Sequence, residues 1–248
     1  MRFGFKFAVA LALATAFVGC GRTYNTAGLG IRELEELAEK AFAENDFHGA
    51  SRLYTQLMFE YPGSSRMDFY LYRLGLSKAG EGLRGDAVFY LDRVLNEYPR
   101  SQWADDCAFH AARIWWEQRN DYRKDLTPVL NCRDRLKAFY EDYPASPLAD
   151  RADSLMAAVN DLLARRALFI GRFYARRKKY DAALLYLREA LNDYGKTSCT
   201  GDVLVCMGDV YFAKGNKYTA GEYYRRALDE GGLDLERTGD VLEKLGRL

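Results

Sequence analysis

The sequence has little of what catalysis and metal binding require. It contains only two histidines, His48 and His110, and its five cysteines form no CxxC pair. A GxSxG sequence, an HExxH sequence, a P-loop and a dinucleotide fingerprint are all missing. His48 lies in a polar loop and His110 beside predicted core positions, so neither has a recognisable catalytic partner. We therefore expect no enzyme activity, no cofactor and no bound metal.

An excess of either charge is also missing. The chain has 36 lysines and arginines against 35 aspartates and glutamates, a formal net charge of +1. The first 19 residues hold Arg2 and Lys6 and no acid, so a chain starting at Cys20 keeps 34 basic side chains (36 minus 2) and has a net charge of −1. This balance argues against nucleic acid as a partner. The hydrophobic content of 49% is enough for a packed core.

The apolar run near the amino terminus is too short to cross a bilayer. It has twelve residues, from Phe7 to Val18, and it follows Arg2 and Lys6. This pattern predicts an export signal over residues 1–19.

The export signal ends in the sequence Phe17-Val18-Gly19-Cys20. This sequence resembles the bacterial lipobox, which predicts that Cys20 carries lipid and anchors the protein to a membrane. Gly21 is not the aspartate that retains lipoproteins in the inner membrane of well-studied bacteria, so we expect the periplasmic face of the outer membrane. The alternative is ordinary cleavage after Ala14-Thr15-Ala16, which would leave a soluble periplasmic protein.

The remaining cysteines, Cys107, Cys132, Cys199 and Cys206, would meet an oxidising compartment. If both are helical, Cys199 and Cys206 lie about 10 Å apart, beyond the roughly 7 Å limit for a disulfide. Cys107 and Cys132 fall at different levels of a predicted helical hairpin. We expect four buried thiols.

A short sequence of the form Tyr-Pro-x-Ser divides the chain into units. It starts at Tyr61, Tyr98 and Tyr143, and a weakened copy starts at Tyr194. Each copy follows an amphipathic run, and proline or glycine there ends a helix. The serine or threonine is then predicted to cap the next helix, most clearly at Ser146.

Between these sequences the apolar residues have helical spacing, and the pattern recurs with a shift of 37 residues. It predicts helix-turn-helix units starting near residues 31, 68, 105, 164 and 201. The eighth and twentieth positions of each unit carry Ala or Gly, except at Cys132, which lets the two helices approach closely. This is the pattern of the tetratricopeptide repeat, an all-α solenoid, here over residues 31–233. The alternative, a non-repetitive helical bundle, does not explain the regular shift.

Several segments lie outside the regular units. Residues 20–30 are small and polar and are predicted to form a flexible tether. The second helix of the third unit arrives eight residues late, so residues 117–130 are expected to form an inserted loop that contacts a partner. Residues 147–163 are predicted to be helical and to continue into the fourth unit. Residues 234–248 are predicted to form a helix that caps the last repeat.

The first helices of tetratricopeptide units line a concave face that binds partners. In units one to three, the positions expected on this face carry aromatic residues, namely Phe42, Phe69, Tyr72, Phe109 and Trp116. Exposed aromatic residues at this density indicate a binding groove. The alternative is that the tether, the insertion or the extra helix covers them.

In the fourth unit the corresponding positions are basic. Arg165, Arg172 and Arg176, joined by Arg177, form a stripe that is expected to dock an acidic partner surface. The alternative is an ordinary solvated helix face.

These features together resemble the BamD family, the tetratricopeptide lipoproteins of the outer-membrane β-barrel assembly machine. The likeness includes the lipid-accepting Cys20, the short tether and about five repeats in a similar length. It is densest in the third and fourth repeats, at Tyr143-Pro144-Ala145-Ser146, Ala152, Leu163-Ala164, Tyr174, Arg177 and Tyr180.

The resemblance implies a periplasmic scaffold. Its amino-terminal groove would receive unfolded β-barrel proteins, which commonly end in an aromatic β-signal. Its carboxy-terminal repeats would hold the periplasmic domain of a BamA-type barrel insertase. Other assembly lipoproteins would also be partners. The main alternative is a periplasmic adaptor for cell-wall hydrolases or for the Tol-Pal envelope system, which would use the same scaffold with different partners.

Overall fold

The computed structural model describes residues 22–230 and 232–248, and the predicted export signal and Cys20 lie outside this range. The described residues form eleven α-helices and no strand. None of these helices is long and apolar enough to cross a membrane. In chain order the helices are α1 Ile31–Ala43, α2 Phe47–Glu60, α3 Met67–Gly80, α4 Arg84–Glu97, α5 Ala104–Glu117, α6 Thr127–Asp142, α7 Ala149–Arg176, α8 Tyr180–Asn192, α9 Thr200–Ala213, α10 Lys217–Asp229 and α11 Leu235–Gly246.

Consecutive helices pack as five hairpins, and α11 packs against α10 at the carboxy-terminal end. The predicted all-α tetratricopeptide solenoid with a terminal capping helix is therefore confirmed. The small residues at the eighth positions are required by the close approach of the two helices. A Cβ atom on Gly75 would lie 2.9 Å from Leu91, and one on Gly171 would lie 2.8 Å from Leu187.

The turn between the two helices of a unit uses one left-handed residue at the fifteenth position. Asn45, Gly82, Lys178 and Gly215 have φ angles of 60°, 80°, 59° and 82°. Glycine adopts this conformation without steric cost and asparagine with little, but lysine does not. Lys178 is therefore the strained member of this series.

The Tyr-Pro-x-Ser turns link one unit to the next, although their serines do not cap helices as predicted. Ser146 lies two residues before Leu148, which is the N-cap of α7. Its hydroxyl accepts a hydrogen bond from the Leu148 N–H at 3.1 Å and donates one to Asp105 at 2.7 Å. Ser101 donates to Asp68 at 2.6 Å in the same way. Each serine thus ties the start of one unit to the first helix of the unit before it.

The predicted continuation into the fourth unit is confirmed, because α7 is a single helix of 28 residues. The inserted loop is shorter than expected. It occupies residues 118–126, since α6 already begins at Thr127. Pro128 lies in the first turn of α6, where its missing N–H leaves no helical hydrogen bond unmade.

The buried aliphatic, alanine and aromatic side chains form three clusters along the chain, and the partly buried Leu95 packs against the two larger ones. Cys107, Cys132, Cys199 and Cys206 are buried free thiols, as predicted. Burial raises the pKa of Cys206 to about 11 and that of Cys132 to about 12. The buried thiols therefore stay protonated and act as small apolar side chains.

The end of the predicted tether packs onto the first hairpin, which differs from the flexible chain expected there. The Tyr24 hydroxyl donates to Asp46 at 2.8 Å, and the Tyr24 ring lies where a Cβ atom on Gly49 would be. Gln56 of α2 donates to the Thr26 hydroxyl at 3.2 Å. The two hydrogen bonds and the packing of the Tyr24 ring therefore hold the segment before α1 against the first hairpin.

Candidate binding groove

The first helices of successive units contact one another, α3 with α5, α5 with α7 and α7 with α9. They form a row, and we call the side of this row that carries the predicted binding residues the groove. The tetratricopeptide fold places this side on the concave face of the solenoid. The predicted aromatic residues lie in the amino-terminal part of the groove and the predicted basic residues in the carboxy-terminal part. The two parts differ in how far their aromatic rings are exposed.

In the amino-terminal part, three of the predicted binding aromatics are buried. Phe69, Tyr72 and Phe109 expose only 7%, 6% and 3% of their surface. The expectation that they form an exposed aromatic face is therefore wrong. Trp103, the N-cap of α5, lies over two of them. Its ring stacks on Tyr72 with centroids 5.1 Å apart and packs against Phe69 at 5.3 Å.

Arginine side chains cover the outer faces of the same aromatic set. The Arg66 guanidinium lies 4.7 Å from the Phe69 ring, and the Arg151 guanidinium lies 4.8 Å from the Phe109 ring. Such stacking is favourable because the ring face is electronegative. A partner in this part of the groove would therefore meet cations above the rings.

Two of the predicted residues, Phe42 and Trp116, are half-buried and keep ring surface at the groove. Arg73 lies 4.6 Å from the Phe42 ring and donates to Glu39 at 2.6 Å. Arg119 lies 4.2 Å from the Trp116 ring. Both rings come from the last turn of a first helix, Phe42 from α1 and Trp116 from α5.

Two half-buried ionisable groups, His110 and Asp106, lie in the same helix α5, and the His110 ring packs beside Phe109 with centroids 5.6 Å apart. Burial and the nearby Arg113 and Arg151 lower the pKa of His110 to about 4. Its Nδ1 atom has no hydrogen-bond partner among the described residues. Burial also raises the pKa of Asp106, with Asp105 adding to the effect. His110 is thus a neutral side chain of the groove wall at neutral pH.

In the carboxy-terminal part, the basic stripe lines a cavity. Arg165, Arg172 and Arg176 face one volume of about 430 Å³ between α7, α9 and the loop 118–126. We call it the α7 cavity. The fourth predicted residue, Arg177, lies outside its lining, with its guanidinium 3.8 Å from the Phe173 ring. The remaining lining residues are Tyr122, Leu168, Phe169, Ser198, Cys199 and Asp202.

The three arginines of the α7 cavity differ in how fully they are paired. Arg165 pairs with Asp161 at 2.8 Å and donates to Ser198 at 3.0 Å. Arg172 lies 3.4 Å from Asp202, which also pairs with Arg237 of α11. Arg176 is exposed and has no ion pair within the described part of the chain. Positive charge is therefore available at the Arg172 and Arg176 end.

The loop 118–126 forms one wall of the α7 cavity. The Tyr122 ring packs edge-on against Phe169 at 5.9 Å, and Arg166 donates to the Tyr122 carbonyl oxygen at 3.2 Å. Phe169 nevertheless keeps 38% of its surface exposed. The predicted insertion therefore contributes directly to the wall of this cavity.

Sequence reasoning missed Trp103, Phe169 and Tyr122. Phe169 lies four residues after Arg165 and three before Arg172, so helical spacing alone would have placed it on the stripe. Trp103 follows a Tyr-Pro-x-Ser turn by two residues, which is a weak signal. Tyr122 had no signal, because a loop has no periodicity. Among the described residues, no cluster of histidine, cysteine, aspartate or glutamate could hold a metal ion.

Comparison with known proteins identifies the family. The family model described as YfiO, outer membrane lipoprotein, matches residues 32–225. The outer membrane protein assembly factor BamD of Xylella fastidiosa strain Temecula1 is 24% identical over 243 residues, with 92% of this chain and 82% of that protein covered. BamD of Pasteurella multocida is 24% identical over 208 residues, with 80% of each protein covered.

A crystal structure of a thermophilic TPR protein from Thermus thermophilus is 19% identical, at a TM-score of 0.39, over 87% of this chain and 99% of that one. That score is too low to support any comparison of sites. The family match, by contrast, extends over eight of the helices in full, α2 to α9, and over part of α1 and α10. The chain therefore belongs to the YfiO family of outer membrane lipoproteins.

Proposed function

We propose that the protein is a periplasmic scaffold of the outer-membrane β-barrel assembly complex. The family match over residues 32–225 carries this proposal, because it includes both parts of the groove and the relatives are named outer membrane protein assembly factors. In this role the protein holds other proteins by surface contacts and performs no chemistry of its own.

The proposed anchor is lipid on Cys20, at the periplasmic face of the outer membrane. Several acyl chains, at about 0.8 kcal/mol for each buried methylene group, would hold the protein durably. Intact-mass measurement of the protein from native membranes tests this. The lipid mass should disappear in the Cys20→Ala variant, which should then be found in the soluble periplasmic fraction.

Two classes of partner follow from the two parts of the groove. We propose that the amino-terminal part receives segments of unfolded β-barrel proteins at the remaining ring surface of Phe42 and Trp116, between Arg73 and Arg119. The carboxy-terminal part, with Arg165, Arg172, Arg176 and Arg177, would dock the BamA-type insertase beside the other assembly lipoproteins. Charge complementarity at such a surface favours fast and selective association.

The first experiment is affinity purification of the tagged protein from gently solubilised native membranes, followed by mass spectrometry. Recovery of a large outer-membrane barrel protein with periplasmic domains supports the proposal. Recovery of murein hydrolases or Tol-Pal components instead would replace it with the adaptor function.

A second experiment tests the amino-terminal part with a barrel-derived carboxy-terminal peptide. Phe42→Ala combined with Trp116→Ala should weaken peptide binding several-fold. Tyr72 is left intact, because it is buried and its removal would damage the fold. Phe89→Ala is the matched control, since this ring is exposed on the second helix α4, away from the groove. Equal binding by the double variant would exclude the Phe42 and Trp116 site.

A further inference from the structure

The α7 cavity carries more positive than negative charge. The guanidinium groups of Arg165, Arg172 and Arg176 line it, and that of Arg237 pairs at its edge. Within the described part of the chain, three carboxylates pair with these four cations, namely Asp161, Asp202 and Asp234, the last at 3.9 Å from Arg237. The charge excess lies toward Arg176, at the carboxy-terminal end of α7.

The same cavity also offers apolar surface. Arg165, Phe169, Arg172 and Arg176 have spacings of four, three and four residues, which place them on one face of α7. Phe169 thus lies between cations on both sides along the helix. Leu168 and Tyr122 extend the apolar surface beneath and beside the ring. At about 430 Å³, the cavity has room for a large side chain and the backbone on either side of it.

We propose that the α7 cavity binds an acidic segment of a partner protein that carries an aromatic side chain between its carboxylates. The aromatic side chain contacts Phe169 and Tyr122, and the flanking carboxylates pair with Arg172 and Arg176. This inference rests on the proposed function, because it treats the groove as the face that binds partners. It adds the chemical nature of the partner segment that binds in the carboxy-terminal part.

The mixed lining favours this occupant over a purely acidic surface. Arginines alone would attract any anion. A partly exposed phenylalanine between arginines also gains binding energy when a partner places an apolar side chain on the ring and carboxylates on either side of it. Arg172 is preorganised by Asp202, which holds its guanidinium near the cavity at 3.4 Å. Arginine presents paired donors that match a carboxylate.

The test measures fluorescence anisotropy of three labelled peptides with the purified protein. The probe peptide has phenylalanine between pairs of Asp and Glu. The first comparison peptide replaces the acids by their amides, and the second replaces phenylalanine by alanine. We expect both replacements to weaken binding by about tenfold, and added salt to weaken binding of the probe.

Protein variants locate the site. Arg172→Gln with Arg176→Gln should weaken probe binding by about tenfold, and Phe169→Ala by several-fold. Arg84→Gln with Arg100→Gln is the matched control, because it also removes two arginine charges and both residues are exposed and lie outside the cavity lining. Circular dichroism of each variant checks that the fold is retained. Equal loss in the Arg84→Gln, Arg100→Gln control, or equal binding of the alanine peptide, would overturn the proposal in favour of general attraction between charges.

Purification from native membranes separates this inference from the proposed function. If the wild-type protein recovers the barrel insertase but does not bind the probe peptide, the scaffold function stands and the cavity proposal fails. If the probe binds and no assembly component is recovered, the cavity proposal stands and the scaffold function fails.

Discussion

The two parts of the groove contain the same kinds of residue in opposite arrangements. In the amino-terminal part, aromatic rings lie beneath arginines and beneath Trp103, and Phe69 exposes 7% of its surface. In the α7 cavity, arginines lie beside a ring, and Phe169 exposes 38%. The comparison teaches that a ring at a groove position is buried or accessible according to what neighbouring units place on it.

The largest expected difference between the two parts concerns stability. Trp103→Ala removes the ring that covers Tyr72 and Phe69, so it should lower the free energy of unfolding by about 3 kcal/mol. Phe169→Ala removes a partly exposed ring and should cost less than about 1 kcal/mol. Urea unfolding followed by circular dichroism measures both. Equal costs would break the distinction between a structural and an accessible ring.

The amino-terminal part should also depend on pH, through His110. Its folded pKa of about 4 lies below the ordinary value of 6.5, so the native state keeps the imidazole neutral while the unfolded chain takes up a proton. This contribution to stability is complete above pH 6.5 and is lost as the pH falls toward 4, by roughly 2 to 3 kcal/mol. Arg113 and Arg151, which face the ring, act in the same direction as burial.

The measurement compares urea unfolding of wild type and His110→Gln at pH 7 and pH 4.5. The variant should lose less stability on acidification than the wild type. Subtracting the two losses in free energy of unfolding separates the contribution of His110 from that of Asp106 and the other acids. His48→Gln is the control, because its ring is exposed at the surface. If wild type and His110→Gln respond identically to pH, the groove wall around His110 is open to water.

Much of the fold could be predicted from the sequence, because its determinants are local or periodic. The shift of 37 residues and small residues such as Gly75 and Gly171 determine how two helices of one unit pack. The accessibility of the groove could not be predicted in the same way. Burial of Phe69 depends on Trp103 from the next unit, and the α7 cavity depends on the path of a loop without periodicity.

Arg73 in the amino-terminal part of the groove should have a structural role that Arg176 in the α7 cavity lacks. Arg73 pairs with Glu39 and lies over the Phe42 and Phe69 rings, so Arg73→Gln should lower the free energy of unfolding by about 1 kcal/mol. Arg176→Gln should change it by less than about 0.5 kcal/mol, since Arg176 is exposed. Thermal unfolding of the two variants side by side measures this difference. A larger loss for Arg176→Gln would mean that Arg176 stabilises the fold and is not kept for a partner.

The smallest expected effect is a gain in stability at the turn that follows the basic stripe. Lys178 adopts a φ angle of 59°, whereas the equivalent residue of the second unit, Gly82, adopts 80°. The left-handed conformation costs a residue with a Cβ atom about 1 kcal/mol, so Lys178→Gly should recover somewhat less than this after the greater entropy of unfolded glycine is subtracted. Gly82→Ala should lose about 1 kcal/mol for the same steric reason. Opposite shifts of the thermal midpoint are therefore expected, and a loss in Lys178→Gly would mean that the lysine side chain makes a contact that outweighs the strain of its backbone.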